Sequence, residues 1–133
     1  MGYRSDVAYT IRFVGADDTL AKQSFYTFLA EAKSRPETAL CFEEGDEDFH
    51  IVEGAFTINF DCSHVKWYPD YPEVKCHEEL IKLAMEYADN GNESIGYVLA
   101  KIGEETDDIE WTYGGQGDDS WLCVARQLVM DWK

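Results

Sequence analysis

Basic residues are scarce in this chain. Eleven Lys and Arg stand against 27 Asp and Glu, which leaves a formal charge of −16 on 133 residues. Affinity for DNA or RNA rests mainly on Lys and Arg neutralising phosphates, so direct nucleic-acid binding is not expected. Long apolar runs are missing too. No stretch approaches the roughly 20 residues of a membrane helix, and the first residues lack the basic-then-apolar pattern of a secretion signal, so a cytoplasmic protein with no membrane partner is expected. Cys41, Cys62, Cys76 and Cys123 are irregularly spaced without a CxxC pair, which reads as small buried hydrophobes and not as a disulfide or zinc framework. No Walker spacing and no nucleophile elbow occurs, and the three His are scattered. The reading is non-enzymatic, with no catalytic residue, metal ligand or cofactor assigned.

What is present is a folded body carrying concentrated acid. With 45% hydrophobic and 14% aromatic residues, the chain lies well above the composition of a disordered acidic tail. Its length suits one domain, residues 1–133, burying about two-thirds of its unfolded surface. Two windows hold no Lys or Arg. Residues 43–53 carry Glu43, Glu44, Asp46, Glu47, Asp48 and Glu53; residues 103–120 carry Glu104, Glu105, Asp107, Asp108, Glu110, Asp118 and Asp119.

Periodicity gives the expected elements. Val7, Tyr9, Ile11 and Phe13 alternate along a first strand. Ala21, Phe25, Phe28, Leu29 and Ala32 recur at helical spacing over 18–34, until Pro36 stops the pattern. Residues 39–42 form a short apolar run read as a second strand, and a third runs from Phe49 through Ile51, Phe56, Ile58 and Phe60, with the 43–48 tract at the hairpin tip and a bulge at Gly54. Pro72 opens a second helix carrying Val74, Leu80, Ile81, Ala84 and Tyr87, which Asn90-Gly91 closes. Ion pairs Lys75–Glu79, Glu78–Lys82 and Lys82–Glu86 are expected on its outer side. Residues 95–102 make a fourth strand; Ile109, Trp111 and Tyr113 make a fifth, ending at a Gly-rich turn. Residues 121–131 fit either a helix or a sixth strand, and the strand is preferred. The expected fold is α+β: a ferredoxin-like split βαβ sandwich with a mostly antiparallel sheet ordered 6-5-4-1-3-2, two helices on one face and an added C-terminal hairpin.

The run Met1-Gly2-Tyr3-Arg4-Ser5-Asp6-Val7, the segment Val65-Lys66-Trp67-Tyr68-Pro69-Asp70-Tyr71-Pro72-Glu73-Val74, and Ile102-Gly103-Glu104 with Asp107-Asp108-Ile109-Glu110 together resemble a group of small accessory proteins encoded by tailed bacteriophages. The resemblance spans nearly the whole chain and carries over no residue roles. It implies a setting, the host bacterial cytoplasm, where interference with a host anti-phage defence system is a common role.

Cys62 with His64, and Cys76 with His77, offer zinc-type donors. Cys62 and His64 continue a strand face, whereas Cys76 and His77 point about 100° apart on a helix, so a structural reading is preferred for both pairs. Trp67, Tyr68 and Tyr71 form a dense aromatic segment of the kind that anchors interfaces, or closes a core. Glu43, Glu44, Asp46, Glu47 and Asp48 are expected at the same sheet end as Asp118 and Asp119, with 104–108 at the opposite end. Together with the three aromatics they form the expected partner-binding set. The function expected is an inhibitor whose acidic surface mimics nucleic acid and blocks a host nucleic-acid-binding protein with a basic site. The competing expectation is a small-ligand binder that sequesters a nucleotide signal through Arg4, Arg12, Arg35 and Arg126.

Overall fold

Alternating apolar residues make Ser5–Phe13 a strand, β1, with Val7, Tyr9, Ile11 and Phe13 directed to one side. In the computed structural model, which describes residues 5–15, 18–43, 49–65, 71–102 and 109–117, β1 is the centre of a five-stranded sheet. It pairs antiparallel with β3 (Thr57–Val65) and with β4 (Ile95–Ile102). β2 (Phe49–Val52) adds outside β3 and β5 (Ile109–Gly115) outside β4, giving the order β2-β3-β1-β4-β5 with every neighbour antiparallel. Tyr9 stands between Phe60 and Leu99, and Ile11 between Ile58 and Tyr97, so the inward rows form one continuous apolar face.

Three α-helices supply the other layer: α1 (Asp18–Ser34), α2 (Pro36–Glu43) and α3 (Pro72–Asp89). Phe25 and Phe28 of α1 set their rings against Phe13, 5.9 and 5.5 Å between centroids. From α3, Cys76, Leu80, Ile81, Leu83 and Ala84 join the same core. Pro72 occupies the first turn of α3, where its missing N–H is no loss. The helix closes at Gly91, whose φ of 93° only glycine adopts readily. Asn92 then fixes the exit: its Oδ1 accepts the N–H groups of Ser94 and Ile95, and its Nδ2 donates to Ser24 Oγ of α1.

The α+β class, the first and last expected helices and the antiparallel sheet agree with the sequence reading. Two expectations are overturned. Residues 39–42 belong to α2 and not to a strand. A four-residue apolar run has no periodicity of its own, and Pro36, which stops α1, also starts the next helix. Thr38 is buried and donates its hydroxyl to the Ala32 carbonyl, tying α2 to the end of α1, while Cys41 one turn on reaches the core. The second correction concerns 49–60, expected as one strand. It reverses at Glu53–Ala55, a 3-10 turn closed by Phe56 in the left-handed region (φ 50°, ψ 49°). Gly54 thus sits in a reversal, not in a bulge. The sheet edge assigned to 39–42 is occupied by β2, and among the described residues three α-helices stand where two are expected. The expected sixth strand, 121–131, lies outside the described residues.

Polar groups tie the helices across the layer. Glu31 of α1 accepts from Tyr87 Oη of α3 at 2.7 Å and from Arg35, whose guanidinium also reaches Glu86 at 3.6 Å. Where Lys75–Glu79, Glu78–Lys82 and Lys82–Glu86 are expected along α3, Lys82 pairs with Glu79 three residues back, and Glu78 receives Lys101 Nζ from β4 at 2.8 Å.

Two outcomes test this packing. Thr38→Val keeps the shape but removes the donor to Ala32, and it should cost about 1–2 kcal/mol in urea unfolding at unchanged m-value; no loss would mean that α2 is not anchored there. The Tyr87 hydroxyl, and then Arg35, hold the Glu31 carboxyl below its ordinary value of 4.5. A lowered folded pKa contributes stability above the unfolded pKa and loses it as pH falls through the folded one. Glu31→Gln should therefore cost about 1 kcal/mol at pH 7, reduced by the open side of the carboxylate. The gap to wild type should close below about pH 4.5. A gap constant from pH 7 to 3 would contradict the assignment.

Candidate functional site

Strand direction decides where the acidic windows meet the fold. β2 enters at Phe49, level with Phe60 and hence with Tyr9, and runs parallel to β1 towards Val52, level with Thr57. β4 leaves at Ile102, level with Asp6, and β5 returns at Ile109 beside it. β2 therefore begins, and β4 ends, on the side of the sheet where β1 begins, with Ile102 level with Asp6 and Phe49 three residues further along, level with Tyr9 in the middle of β1. At the other end Val14 N–H donates to Ser94 O and Gln116 N–H to Ile95 O, so Gly117, which precedes Asp118 and Asp119, belongs there. The expectation that 43–48 shares an end with Asp118 and Asp119 falls on residues outside the described ones; their described neighbours Phe49 and Gly117 lie towards opposite ends of the sheet, because the reversal at Glu53–Ala55 adds one change of direction. The segment 104–108, expected at the far end, has its described neighbours Ile102 and Ile109 on the side where β2 begins.

Of the residues expected to bind a partner, Glu43 ends α2. Tyr71 is 40% exposed and precedes α3 in an extended conformation, its carbonyl accepting the N–H groups of Val74 and Lys75. Glu44, Asp46, Glu47, Asp48, Trp67, Tyr68, Asp118 and Asp119 lie outside the described residues. Beside Ile102, Lys101 is committed to Glu78 and, at 3.9 Å, to Glu110. Of the arginines considered for phosphate, Arg35 is committed to Glu31 and Glu86. Arg12, on the sheet face away from the helices, donates through Nε to Thr10 Oγ1 at 3.1 Å. Arg4 and Arg126 are outside the described residues. No shared phosphate grip is formed by the two that are described.

A second constellation lies in the core. Cys41 of α2 and Cys76 and His77 of α3 bring their sulfur and nitrogen atoms all within 4.8 Å of one another, and all three residues are buried. Tyr9 Oη of β1 is 2.7 Å from His77 Nδ1, and Cys41 Sγ is 3.6 Å from the same nitrogen. A phenol and a thiol both carry donors, which suits Nδ1 as acceptor, in the tautomer with hydrogen on Nε2. Phe60 stacks on the imidazole at 4.0 Å and Phe49 stands 5.7 Å away. Helical spacing alone sets Cys76 and His77 apart by their angle around the axis. Both turn inward because α3 is buried over a wide arc, against α2 on one side and the sheet on the other. Reading 39–42 as a strand hides Cys41 as their neighbour; Pro36 at a helix start followed by Thr38 and Cys41 at three-residue spacing is the signal that could have found it. Cys62 is buried on the helix-facing side of β3, in keeping with the structural role expected of it.

Sealed behind aromatic rings, this cluster is suited to holding a group in place rather than to turning over a diffusing substrate. Tyr9→Phe removes the shorter of the two contacts to Nδ1 and should destabilise the fold by about 1–2 kcal/mol, the cost of losing a buried hydrogen bond. Denaturant unfolding measures it, and an unchanged midpoint would rule out a structural contribution from the Tyr9–His77 pair. No protein-family profile, curated protein or solved structure matches this chain.

Proposed function

We propose that the chain is a non-enzymatic acidic inhibitor that occupies the basic, nucleic-acid-binding site of a host protein. The setting we assign is phage-encoded counter-defence in a bacterial cytoplasm, and the scaffold we assign is a ferredoxin-like split βαβ sandwich extended by β5. The order β2-β3-β1-β4 supports the scaffold assignment, since β3 lies antiparallel between two strands that run parallel to each other.

The observation that carries the functional reading is that β2 begins and β4 ends on the same side of the sheet, beside the segments 43–48 and 103–108. These strands are separated by three strand spacings from β2 to β4 and four to β5, roughly 14–19 Å at about 4.8 Å each. That span is comparable to a nucleic-acid duplex, so we assign the carboxylates of 43–48 and 103–108 to a partner groove shaped for two phosphate strands. Complementary charge speeds encounter and makes binding salt-sensitive, while an interface centre needs aromatic anchors, for which Tyr71 with Trp67 and Tyr68 are our candidates.

The test is affinity capture from a bacterial lysate at low and moderate salt. Wild type should retain a nucleic-acid-binding protein that duplex DNA displaces. Changing Glu43, Glu44, Asp46, Glu47 and Asp48 to Gln or Asn should weaken capture at least tenfold, as should changing Glu104, Glu105, Asp107 and Asp108. Asp118→Asn with Asp119→Asn should leave it within about twofold, since single rim charges contribute little. Equal capture by all variants, or a partner that DNA does not displace, would sink the reading.

A further inference from the structure

We propose that Cys41, Cys76 and His77 form a buried zinc site at the junction of α2, α3 and the sheet, with the Tyr9 hydroxyl completing the coordination. Thiolate sulfur and imidazole nitrogen are zinc's preferred donors. With Zn–S near 2.3 Å and Zn–N near 2.0–2.1 Å, a tetrahedral ion holds sulfur and nitrogen about 3.5 Å apart and two sulfurs about 3.8 Å apart. Cys41 Sγ and His77 Nδ1 already stand at 3.6 Å, and all three donor atoms lie within 4.8 Å of one another. Closing these three donors on an ion shortens no pair by more than about 1.3 Å.

Charge balances in this apolar surrounding. Binding Zn²⁺ releases one proton from each thiol, and the two thiolates cancel the ion's charge, so a neutral complex is buried beside Phe60 and Phe49. His77 must offer Nδ1 unprotonated, the state that already suits its contacts with Tyr9 and Cys41. Tyr9 Oη is 2.7 Å from that nitrogen and approaches from β1, opposite the helices that carry the other three donors. Without metal the same atoms hydrogen-bond one another, so the ion adds stability to a core that already closes.

The metal used for the test is cobalt(II), followed by zinc, on reduced and chelator-treated full-length protein. Cobalt should saturate at one equivalent, giving the visible bands of a tetrahedral ion and a near-ultraviolet thiolate-to-cobalt charge-transfer band, and zinc should abolish both. Zinc should also raise the melting temperature in proportion to the logarithm of its concentration above saturation. Cys41→Ser and Cys76→Ser should each weaken binding by at least tenfold and diminish the charge-transfer band, whereas Cys62→Ser, at another buried thiol, should leave both unchanged. Absence of the charge-transfer band in wild type overturns the proposal, and does so even where a variant fails to fold. Full bands in Cys41→Ser, or their loss in a folded Cys62→Ser, place the metal elsewhere and overturn it equally.

Discussion

Because β1 is hydrogen-bonded along both edges, to β3 and to β4, its side chains must be accommodated above and below the sheet, and every residue from Asp6 to Ile11 is buried. On the helix side this takes Val7, Tyr9 and Ile11 into the core. On the other side it takes in Asp6, Ala8 and Thr10, and the polar groups there need partners, since an unpaired buried donor costs more than a typical bond returns. Thr10 meets that need by donating to Asn59 Oδ1 at 2.7 Å while accepting from Arg12. One strand thus fixes the levels of four others, and through them the sheet end at which each connection leaves.

Those levels explain what is legible in the sequence and what is not. β1 can be read because period-two alternation over nine residues has no helical equivalent, and α3 because Pro72 and Gly91 mark both of its ends. The 39–42 run cannot be read, since Ala39, Leu40, Cys41 and Phe42 are apolar at every position and fit either element. What settles them is tertiary: the Thr38 hydroxyl on the Ala32 carbonyl and Cys41 against α3. The reversal at Glu53–Ala55 is hidden for a different reason. Phe56 closes it in the left-handed region, which a bulky residue seldom adopts, so no glycine in the required place announces a turn. Missing that one reversal inverts the expected direction at Phe49, the residue that follows the 43–48 tract.

The buried cluster is illegible because it depends on three elements at once. Tyr9, Cys41 and His77 are separated by 32 and 36 residues, and no local spacing relates them. Its position also bears on the acidic tract. Cys41 precedes Glu43 by two residues, so the contact of α2 with His77 and α3 sets the point from which 43–48 departs, just as pairing of Phe49 with Phe60 sets the point at which it returns. The two ends of the tract are held by the same patch of core, since Phe49 and Phe60 both pack on the His77 ring.

This arrangement matters for a domain with so few positive charges. Like-charge repulsion across a surface of net −16 favours expansion, and only groups fixed by the core can hold carboxylates together against it. Some of the basic residues are spent on seams within the fold. Arg35 bridges Glu31 and Glu86 between α1 and α3, and Lys101 bridges Glu78 and Glu110 between α3 and β5. Each neutralises acid where two elements meet, and where the repulsion would otherwise prise layers apart. The 43–48 and 103–108 windows contain no base at all, so their charge is not offset within the segments themselves. The two cations placed at these seams, Arg35 and Lys101, thus offset acid inside the fold, and the net charge of −16 is carried by the carboxylates they do not reach.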